Sequence, residues 1–367
     1  MKLCIFGAGN IGLSMAAGFS LDPDLDVTVY TRRKIRTISL VDEFDCRHDD
    51  LDINISDDVG EVVSGAKYIF CTYPAFLRKE FIRMIEPFIT QGVKVGFVPG
   101  YGGAEYMCGE LINKGAIIFG MQRVPFVARQ SNHEVAYILS KKECIYVASI
   151  PKKETNEVCK ELQEMLKIKT VGLKEYLAVT LSPSNPLLHL TGLYNVFSDY
   201  RYGVYYDRKM MFYDEWDDNA SRVLFSYDDE LQAICRNMKP LDLDEIVSLK
   251  KYYESESPEQ LTKKLKSIKA FEVVEVPLVK SEKGYVPDFS SRMFVEDFPF
   301  GIAIIKYFAV ITKTKTPTID NILEFYQRIS GIEYFDKNDM PGKDFNHSGI
   351  PANYGLISLD DIVSFYC

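Results

Sequence analysis

Three glycines near the start of the chain, Gly7, Gly9 and Gly12, have the spacing that lets a backbone loop hold a phosphate group. The apolar run before them predicts a β-strand, and residues 11–19 after them predict a helix. In that context the first glycine permits a tight turn, the second lets the backbone approach a pyrophosphate, and the third allows close helix–strand packing. The alternative is a tight turn that binds no phosphate. The predicted dinucleotide-binding residues of this loop are Gly7, Ala8, Gly9, Asn10, Ile11 and Gly12.

The residues that follow the second predicted strand indicate which dinucleotide the loop would bind. Residues 26–31 alternate as a strand, and a domain that selects NAD usually carries Asp or Glu at its end to bind the ribose hydroxyls. This chain instead has Thr31, Arg32 and Arg33, and arginine supplies fork-shaped cationic donors that suit a 2′-phosphate. The sequence therefore favours NADP(H) and leaves NAD(H) open. The alternative is that the arginines form the basic first turn of a solvated helix over residues 34–41.

His189 is the histidine best placed for acid–base chemistry. Ser184, Asn185 and Pro186 have the pattern of a helix cap followed by proline in the first turn, which puts His189 near the start of a helix. His48 and His133 lie in polar, irregular segments and are predicted to be surface residues. His347, in a loop rich in glycine, asparagine and serine, is a weaker candidate for the cleft than His189. The alternative for His189 is a core histidine whose hydrogen bonds are satisfied internally.

A partner for this histidine is available in the segment RMFVEDFPFG, residues 292–301. Asp297 lies at the start of a long apolar helix, where the helix dipole favours a carboxylate. An aspartate against an imidazole fixes its tautomer and stabilises the imidazolium, as a general acid–base pair requires. The alternative is that Asp297 only caps the helix. Arg292 could add a bidentate clamp for a carboxylate substrate.

Composition excludes several classes of protein. The net charge of −9 and the absence of a basic tail exclude nucleic acid as a partner. The longest apolar stretch, residues 298–311, is too short to cross a membrane, and the chain starts with a predicted strand instead of a signal peptide. The eight cysteines include no C-x-x-C pair, so we expect no metal site. We predict a cytoplasmic enzyme acting on small molecules, and a homodimer is left open.

The order of predicted elements gives an α/β fold with two domains. Strands and helices alternate over residues 1–175, which predicts a doubly wound parallel Rossmann sheet for the dinucleotide. Residues 134–140 and 143–149 resemble a pair of β segments joined by two lysines. Over residues 176–367 the periodicity is helical, with one possible extended excursion at 271–285, and we predict a mainly α-helical substrate domain that closes over the nicotinamide.

Seven segments, in this order along almost the whole chain, resemble the opine dehydrogenase family of the octopine/nopaline type. The resemblance implies reductive condensation of the amino group of an amino acid with an α-keto acid, using NAD(P)H. The block with asparagine, proline and histidine, followed by the block EDFPFG, is the most diagnostic. The segments are FGAGNIG (6–12), CTYPAF (71–76), VPGYGG (98–103), MQRVPFVAR (121–129), SNPLLHLTG (184–192), RMFVEDFPFG (292–301) and TPTIDNI (316–322).

The resemblance also implies roles for individual residues. His189 would donate a proton to the carbonyl oxygen or imine, and Asp297 would orient it. Arg292 and Arg129 are implied contacts for a carboxylate or phosphate, and Asn185 is a candidate substrate contact. Tyr73 and Pro74, at the end of a buried strand, are expected to touch the cofactor.

Two other functions remain open at this point. A ketopantoate-reductase-like enzyme would share the two-domain plan, but its catalytic lysine would fall near Leu177, with Lys174 one turn away. A non-catalytic NADPH-binding regulator would be expected to lack the His189–Asp297 pair. The aromatic stretch at residues 198–217 could shape the amino-acid pocket or pack at a domain interface.

Overall fold

A computed structural model describes residues 1–182 and 184–366 of the chain. The residues divide into two compact units. The first unit contains residues 1–180 and Tyr366 at the end of the chain, and the second contains residues 181–365. None of the helices in the described residues is long and apolar enough to cross a membrane.

The first unit is built on an eight-stranded sheet with the strand order β12-β11-β8-β7-β6-β1-β2-β5. Its strands pair in parallel from β8 to β5, whereas β11 runs antiparallel to β8. The predicted α/β fold with a parallel-dominated Rossmann sheet is confirmed, with this one reversal. The strands of the first unit are β1 (Lys2–Phe6), β2 (Asp26–Tyr30), β3 (Ser39–Val41), β4 (Arg47–His48), β5 (Asn54–Ser56), β6 (Tyr68–Cys71), β7 (Lys94–Phe97), β8 (Ile117–Met121), β9 (Phe126–Ser131), β10 (Val135–Lys141), β11 (Cys144–Ile150) and β12 (Lys169–Gly172).

A second, four-stranded sheet in this unit, with the order β4-β3-β10-β9, corrects two predictions. The helix predicted over residues 34–41 is wrong, because residues 39–41 form β3 and pair with β10. The predicted pairing of 134–140 with 143–149 is also wrong, since β10 pairs with β9 and β11 pairs with β8. The pairing of β3 with β10 joins segments more than ninety positions apart, which a local pattern does not specify. In the second case the strands exist close to where they were predicted, but β10 forms its hairpin with the strand before it and not with the strand after it.

The helices of the first unit flank these sheets. Helix α1 packs against β9 and β10 and contributes buried residues such as Leu13, Met15 and Phe19 to the core. The helices are α1 (Asn10–Ser20), α2 (Val59–Val63), α3 (Arg78–Ile85), α4 (Gly109–Asn113), α5 (Thr155–Leu166) and α6 (Leu177–Thr180).

The second unit is mainly helical, as the periodicity predicts. The predicted extended excursion is a two-stranded hairpin. Residues 243–253, in the region with helical periodicity, form only a single helical turn. The side chain of Ser184, predicted to help cap α7, lies outside the described part of the chain. The elements are α7 (Ser184–Phe197), α8 (Asp218–Asn237), α9 (Leu249–Tyr252), α10 (Pro258–Lys266), β13 (Leu278–Ser281), β14 (Gly284–Pro287), α11 (Arg292–Val295), a π-helical turn (Phe298–Ile302), α12 (Ala303–Ile311), α13 (Pro317–Ser330) and α14 (Leu359–Tyr366), whose last residue counts with the first unit.

Aromatic side chains make up much of the core of the second unit. In the aromatic stretch, Phe212, Tyr213 and Trp216 are buried, and the Tyr213 ring stacks on Phe271 with 4.2 Å between centroids. Tyr202 is fully exposed. This part of the stretch therefore stabilises the interior of the second unit.

Candidate active site

The glycine loop between β1 and α1 has the backbone shape that a phosphate requires. Gly7 has a φ of +117°, a conformation that residues with a side chain rarely adopt. A Cβ on Gly12 would lie 1.7 Å from the Gly7 carbonyl oxygen, so only glycine allows the helix to start this close to the loop. A Cβ on Gly9, in contrast, would meet no protein atom within 4 Å. Gly9 therefore faces open space, where a ligand can approach the backbone.

The start of α1 leaves its N–H groups available to an anion. Gly9 precedes the helix, so no side chain caps it, and the first turn contains no acidic residue. Thr72 supports the loop from the end of β6, donating to the carbonyl oxygens of Phe6 at 3.1 Å and Gly7 at 3.3 Å. The Tyr73 ring lies beside Gly7, and the partly buried Pro74 follows it. These residues fit a dinucleotide pyrophosphate.

The arginines after β2 extend from an irregular loop and do not begin a helix. The alternative of a basic first helical turn is therefore wrong. Thr31 accepts a hydrogen bond from the Arg33 backbone N–H at 3.1 Å and fixes the turn. A hydrogen bond to the Tyr30 hydroxyl raises the pKa of the Arg32 guanidinium. Within the described residues, neither Arg32 nor Arg33 forms an ion pair with a carboxylate.

Arg33 also contacts the glycine loop and a histidine from another part of the chain. Its Nη1 lies 3.4 Å from the Ala8 carbonyl oxygen and 2.9 Å from Nδ1 of His133, in the turn between β9 and β10. The sequence predicted His133 to be a surface residue, and it is exposed, but its contact with Arg33 was not predicted. The residues are 100 positions apart, so no local pattern could have revealed the contact.

In the second unit, His189 and Asp297 form a hydrogen-bonded pair. His189 Nδ1 lies 2.7 Å from Asp297 Oδ2. The histidine side chain is 20% exposed and the aspartate side chain 5%, so the imidazole reaches solvent and the carboxylate does not. The Asp297 side chain makes no capping hydrogen bond to the helical turn that follows, so the alternative of a simple cap is wrong.

The surroundings of Asp297 hold this pair in a dry, partly charged environment. Burial raises the pKa of Asp297, while the charge and hydrogen bond of His189 oppose that rise. Burial and then the charge of Asp297 raise the pKa of Tyr227, a buried tyrosine of α8. A neighbouring imidazole is therefore the main group that favours the ionised carboxylate.

A second ring fixes the other side of the imidazole. Phe212 packs nearly perpendicular to His189, with 6.0 Å between centroids. The Phe212 ring lies against Gly192 of α7, where a Cβ would come within 2.2 Å of the ring. The sequence left open that the aromatic stretch containing Phe212 shapes the amino-acid pocket, but it singled out neither Phe212 nor Gly192. The glycine inside an apolar helix was the available signal, because such glycines often mark a close approach.

Arg292 is paired with a glutamate one helical turn away. Its Nε donates to Glu296 Oε2 at 2.9 Å, and Nη2 donates to the same oxygen. The Arg292 side chain is 69% exposed, whereas that of Glu296 is 5% exposed. A buried carboxylate thus holds an exposed guanidinium in one orientation, and the i,i+4 spacing was visible in the sequence.

The positions of the other predicted site residues do not indicate a specific role in the site. Arg129 is exposed on β9 and donates to the backbone oxygen of Ala128 at 3.0 Å. Asn185 is exposed in the first turn of α7. Leu177, where a ketopantoate-reductase-like enzyme would need lysine, is buried in α6. Among the described residues, no cluster of His, Cys, Asp and Glu could hold a metal ion.

Comparison with known proteins shows which family the chain is similar to. Residues 172–330 match the family model of the NAD/NADP octopine/nopaline dehydrogenase alpha-helical domain. The helical part of the chain is therefore similar to the corresponding domain of the opine dehydrogenases. Together with the tauropine and opine dehydrogenases that are similar to the chain, this match identifies it as an NAD(P)-dependent oxidoreductase.

Individual family members resemble the chain over almost its full length. The tauropine dehydrogenase of Arabella iricolor is 24% identical over 98% of this chain and 99% of its own length. The fold is that of an octopine dehydrogenase solved with NADH and L-arginine, with a TM-score of 0.87, 20% identity and coverage of 99% and 98% of the two chains. A yersinopine dehydrogenase solved with NADP+ has a TM-score of 0.70 and 13% identity, with 99% of each chain covered. Opine dehydrogenases of this fold thus bind either dinucleotide.

Proposed function

We propose that this opine dehydrogenase condenses the amino group of an amino acid with an α-keto acid and that His189 is its general acid–base. The observation that carries the proposal is the 2.7 Å contact between His189 Nδ1 and the buried Asp297. Because Asp297 binds Nδ1, the other ring nitrogen, Nε2, is left for the substrate. The tauropine, octopine and yersinopine dehydrogenases similar to this chain support the substrate classes.

The roles follow from the chemistry of the condensation. The amine adds to the keto carbon, and the resulting carbinolamine must lose water to form an imine. His189, with a proton on Nε2, protonates the departing oxygen, and Asp297 stabilises the imidazolium. A bound nicotinamide cofactor supplies the hydride that reduces the imine carbon. The partly exposed imidazole can exchange its proton with solvent between these steps.

Arg292 is the proposed carboxylate clamp. Both substrates carry a carboxylate, and a guanidinium can bind one through two parallel hydrogen bonds. Glu296 uses the Nε and Nη2 side of Arg292 through one oxygen. The exposed guanidinium is thus held in one orientation by Glu296, which reduces the entropy lost when a carboxylate binds.

The cofactor proposed for this chain is NADP(H). Two arginines without a carboxylate partner follow β2, and no acidic residue stands at the end of that strand. A ribose diol would gain little from two guanidinium groups, whereas a 2′-phosphate would gain charge-assisted hydrogen bonds.

Variants of the pair test the catalytic proposal. His189→Ala should lower kcat by about 10²–10⁴-fold, the range for losing a general acid–base, and leave the Kd for NADPH unchanged. Asp297→Asn should also lower kcat, because an amide no longer stabilises the imidazolium. His347→Ala, an exposed histidine of the same unit next to Asp344, is the control. If His189→Ala keeps wild-type turnover, the assignment is wrong.

Cofactor titrations test the NADP(H) preference. Changing Arg32 and Arg33 to Gln should weaken NADPH binding by about tenfold or more and change NADH binding much less, because only NADPH carries the phosphate. The matched control replaces Lys34 and Arg36, exposed basic residues of the same loop. Equal weakening of both dinucleotides would show that the two arginines are structural.

A further inference from the structure

The turn between β9 and β10 holds His133 in a defined position. Asn132 and His133 have φ values of 51° and 59°, and the Glu134 N–H donates to the Ser131 carbonyl oxygen at 3.1 Å. Two consecutive residues in this conformation form the tight turn that fits the twist of a β-hairpin. His133 is therefore presented by a short turn anchored on two paired strands.

His133 lies beside the arginine that is proposed to recognise the cofactor. Arg33 Nη1 is 2.9 Å from His133 Nδ1 and 3.4 Å from the carbonyl oxygen of Ala8 in the glycine loop. The guanidinium thus connects the β9–β10 turn to the glycine loop at the end of β2. In a dinucleotide-binding fold, this is the end of the site that holds the adenosine ribose.

The hydrogen-bonding pattern leaves one imidazole nitrogen available as a donor. A guanidinium can only donate, so Nδ1 accepts from Arg33 and the hydrogen of the neutral ring is on Nε2. The side-chain amide of Gln130 also lies 2.9 Å from Nδ1. Because this nitrogen accepts, the amide must turn its NH2 group toward the ring to donate, and the contact then limits rotation of the ring. No described residue accepts a hydrogen bond from Nε2.

Charge around the turn also favours an anion. Among the described residues, no carboxylate forms an ion pair with His133, Arg32 or Arg33. Three nitrogen-rich side chains from two segments distant in sequence are therefore not ion-paired, although the charge of Glu80 acts on Arg32. Of the three, Arg33 contacts the glycine loop directly. A phosphate monoester has the charge and the acceptor oxygens that such a group of donors would bind.

We propose that His133 is a specificity-determining residue whose Nε2–H donates to the 2′-phosphate on the adenosine ribose, beside Arg32 and Arg33. The inference rests on the proposed NADP(H) preference and adds a residue from the β9–β10 turn to that site.

Binding of cofactor fragments tests the proposal without any turnover. The purified protein is titrated with 2′,5′-ADP, which carries the ribose 2′-phosphate, and with 5′-AMP, which lacks it, by calorimetry. His133→Gly removes the ring and tolerates the left-handed conformation of the turn. It should weaken 2′,5′-ADP by about tenfold, as expected for one hydrogen bond to a charged group, and leave 5′-AMP within about twofold. His48→Ala, in strand β4 of the same unit, is the control and should change neither.

The two titrations distinguish a failure of the proposed role of His133 from a failure of the proposed NADP(H) preference. If the wild-type protein prefers 2′,5′-ADP and His133→Gly keeps that preference, the role of His133 is refuted and the NADP(H) proposal stands. Equal weakening of both fragments also refutes it, because it shows that the ring only supports the loop. If the wild-type protein binds both fragments equally, the NADP(H) preference itself fails, and the inference fails with it.

Discussion

At the scale of single residues, each proposed reactive side chain of the second unit is held in its orientation by neighbouring side chains. His189 is fixed by Asp297 on one side and by the Phe212 ring on another. Arg292 is fixed by Glu296. Such positioning lowers the cost of orienting reactive groups when a substrate binds.

Arg292 gives a prediction at this scale. Arg292→Met should raise the KM for the carboxylate substrate by about 10–100-fold, because a hydrogen-bonded charge is lost, and lower kcat much less. Arg208→Met is a matched control, since Arg208 is also an exposed arginine paired with a glutamate in the second unit. Steady-state kinetics with each substrate varied in turn would measure both effects. Similar kinetics for the two variants would contradict the role of Arg292 as a clamp.

The sequence could indicate candidate residues but not their neighbours. The sequence predicted that His189 lies near the start of a helix and that Asp297 precedes an apolar helix. The structure shows a hydrogen bond between them. Their catalytic roles stay predictions. The contacts of Phe212 with His189 and of His133 with Arg33 depend on tertiary packing between distant segments, so no spacing rule could have found them.

At the scale of elements, the glycine loop was the part most fully specified by sequence. The strand–turn–helix context constrains the backbone tightly, and α1 follows β1 as predicted. The second sheet of the first unit was not predictable in the same way. Strand β3 has three residues, and its pairing with β10 depends on a chain segment more than ninety positions away.

Two glycines of α1 give a matched test of the loop. Gly12→Ala forces a Cβ to within 1.7 Å of the Gly7 carbonyl oxygen, so we expect a loss of about 3 kcal/mol in the free energy of unfolding and no measurable NADPH binding. Gly18→Ala, in the same helix, meets no atom within 4 Å. It should be neutral or stabilising by about 0.5–1 kcal/mol, because alanine is the better helix former.

Urea unfolding and NADPH titration measure both variants. A Gly12→Ala protein that binds NADPH like the wild type would contradict the role of this glycine in the loop.

At the scale of the whole molecule, the end of the chain packs into the first unit around a buried carboxyl group. Glu105 is fully buried and accepts hydrogen bonds from the hydroxyls of Thr180 and Tyr366, the latter at 2.9 Å. Tyr366 also contacts the Tyr106 hydroxyl at 2.6 Å. Burial raises the pKa of Glu105 to about 7, although these hydrogen bonds oppose the rise.

This carboxyl group makes stability depend on pH. The unfolded chain releases the Glu105 proton near its ordinary pKa, whereas the folded protein keeps it until about pH 7. The contribution of Glu105 to stability is therefore full at low pH and is lost as pH rises from about 4.5 to 7, a change of about 3 kcal/mol.

Glu105→Gln should remove this dependence, since glutamine does not titrate. Urea unfolding should show the variant gaining stability relative to the wild type between pH 5 and pH 8. Glu164→Gln, an exposed glutamate of α5, is the control. Parallel pH profiles for the wild type and Glu105→Gln would show that Glu105 does not keep its proton in the folded protein.

The most direct test of the central claim is NADPH oxidation by the purified protein with an α-keto acid such as pyruvate, with and without a panel of amino acids. Reductive condensation predicts that oxidation requires both the keto acid and an amino acid, and that NADH supports it less well. Oxidation with the keto acid alone, unchanged by any amino acid, would contradict condensation and indicate reduction of the keto group to a hydroxy acid.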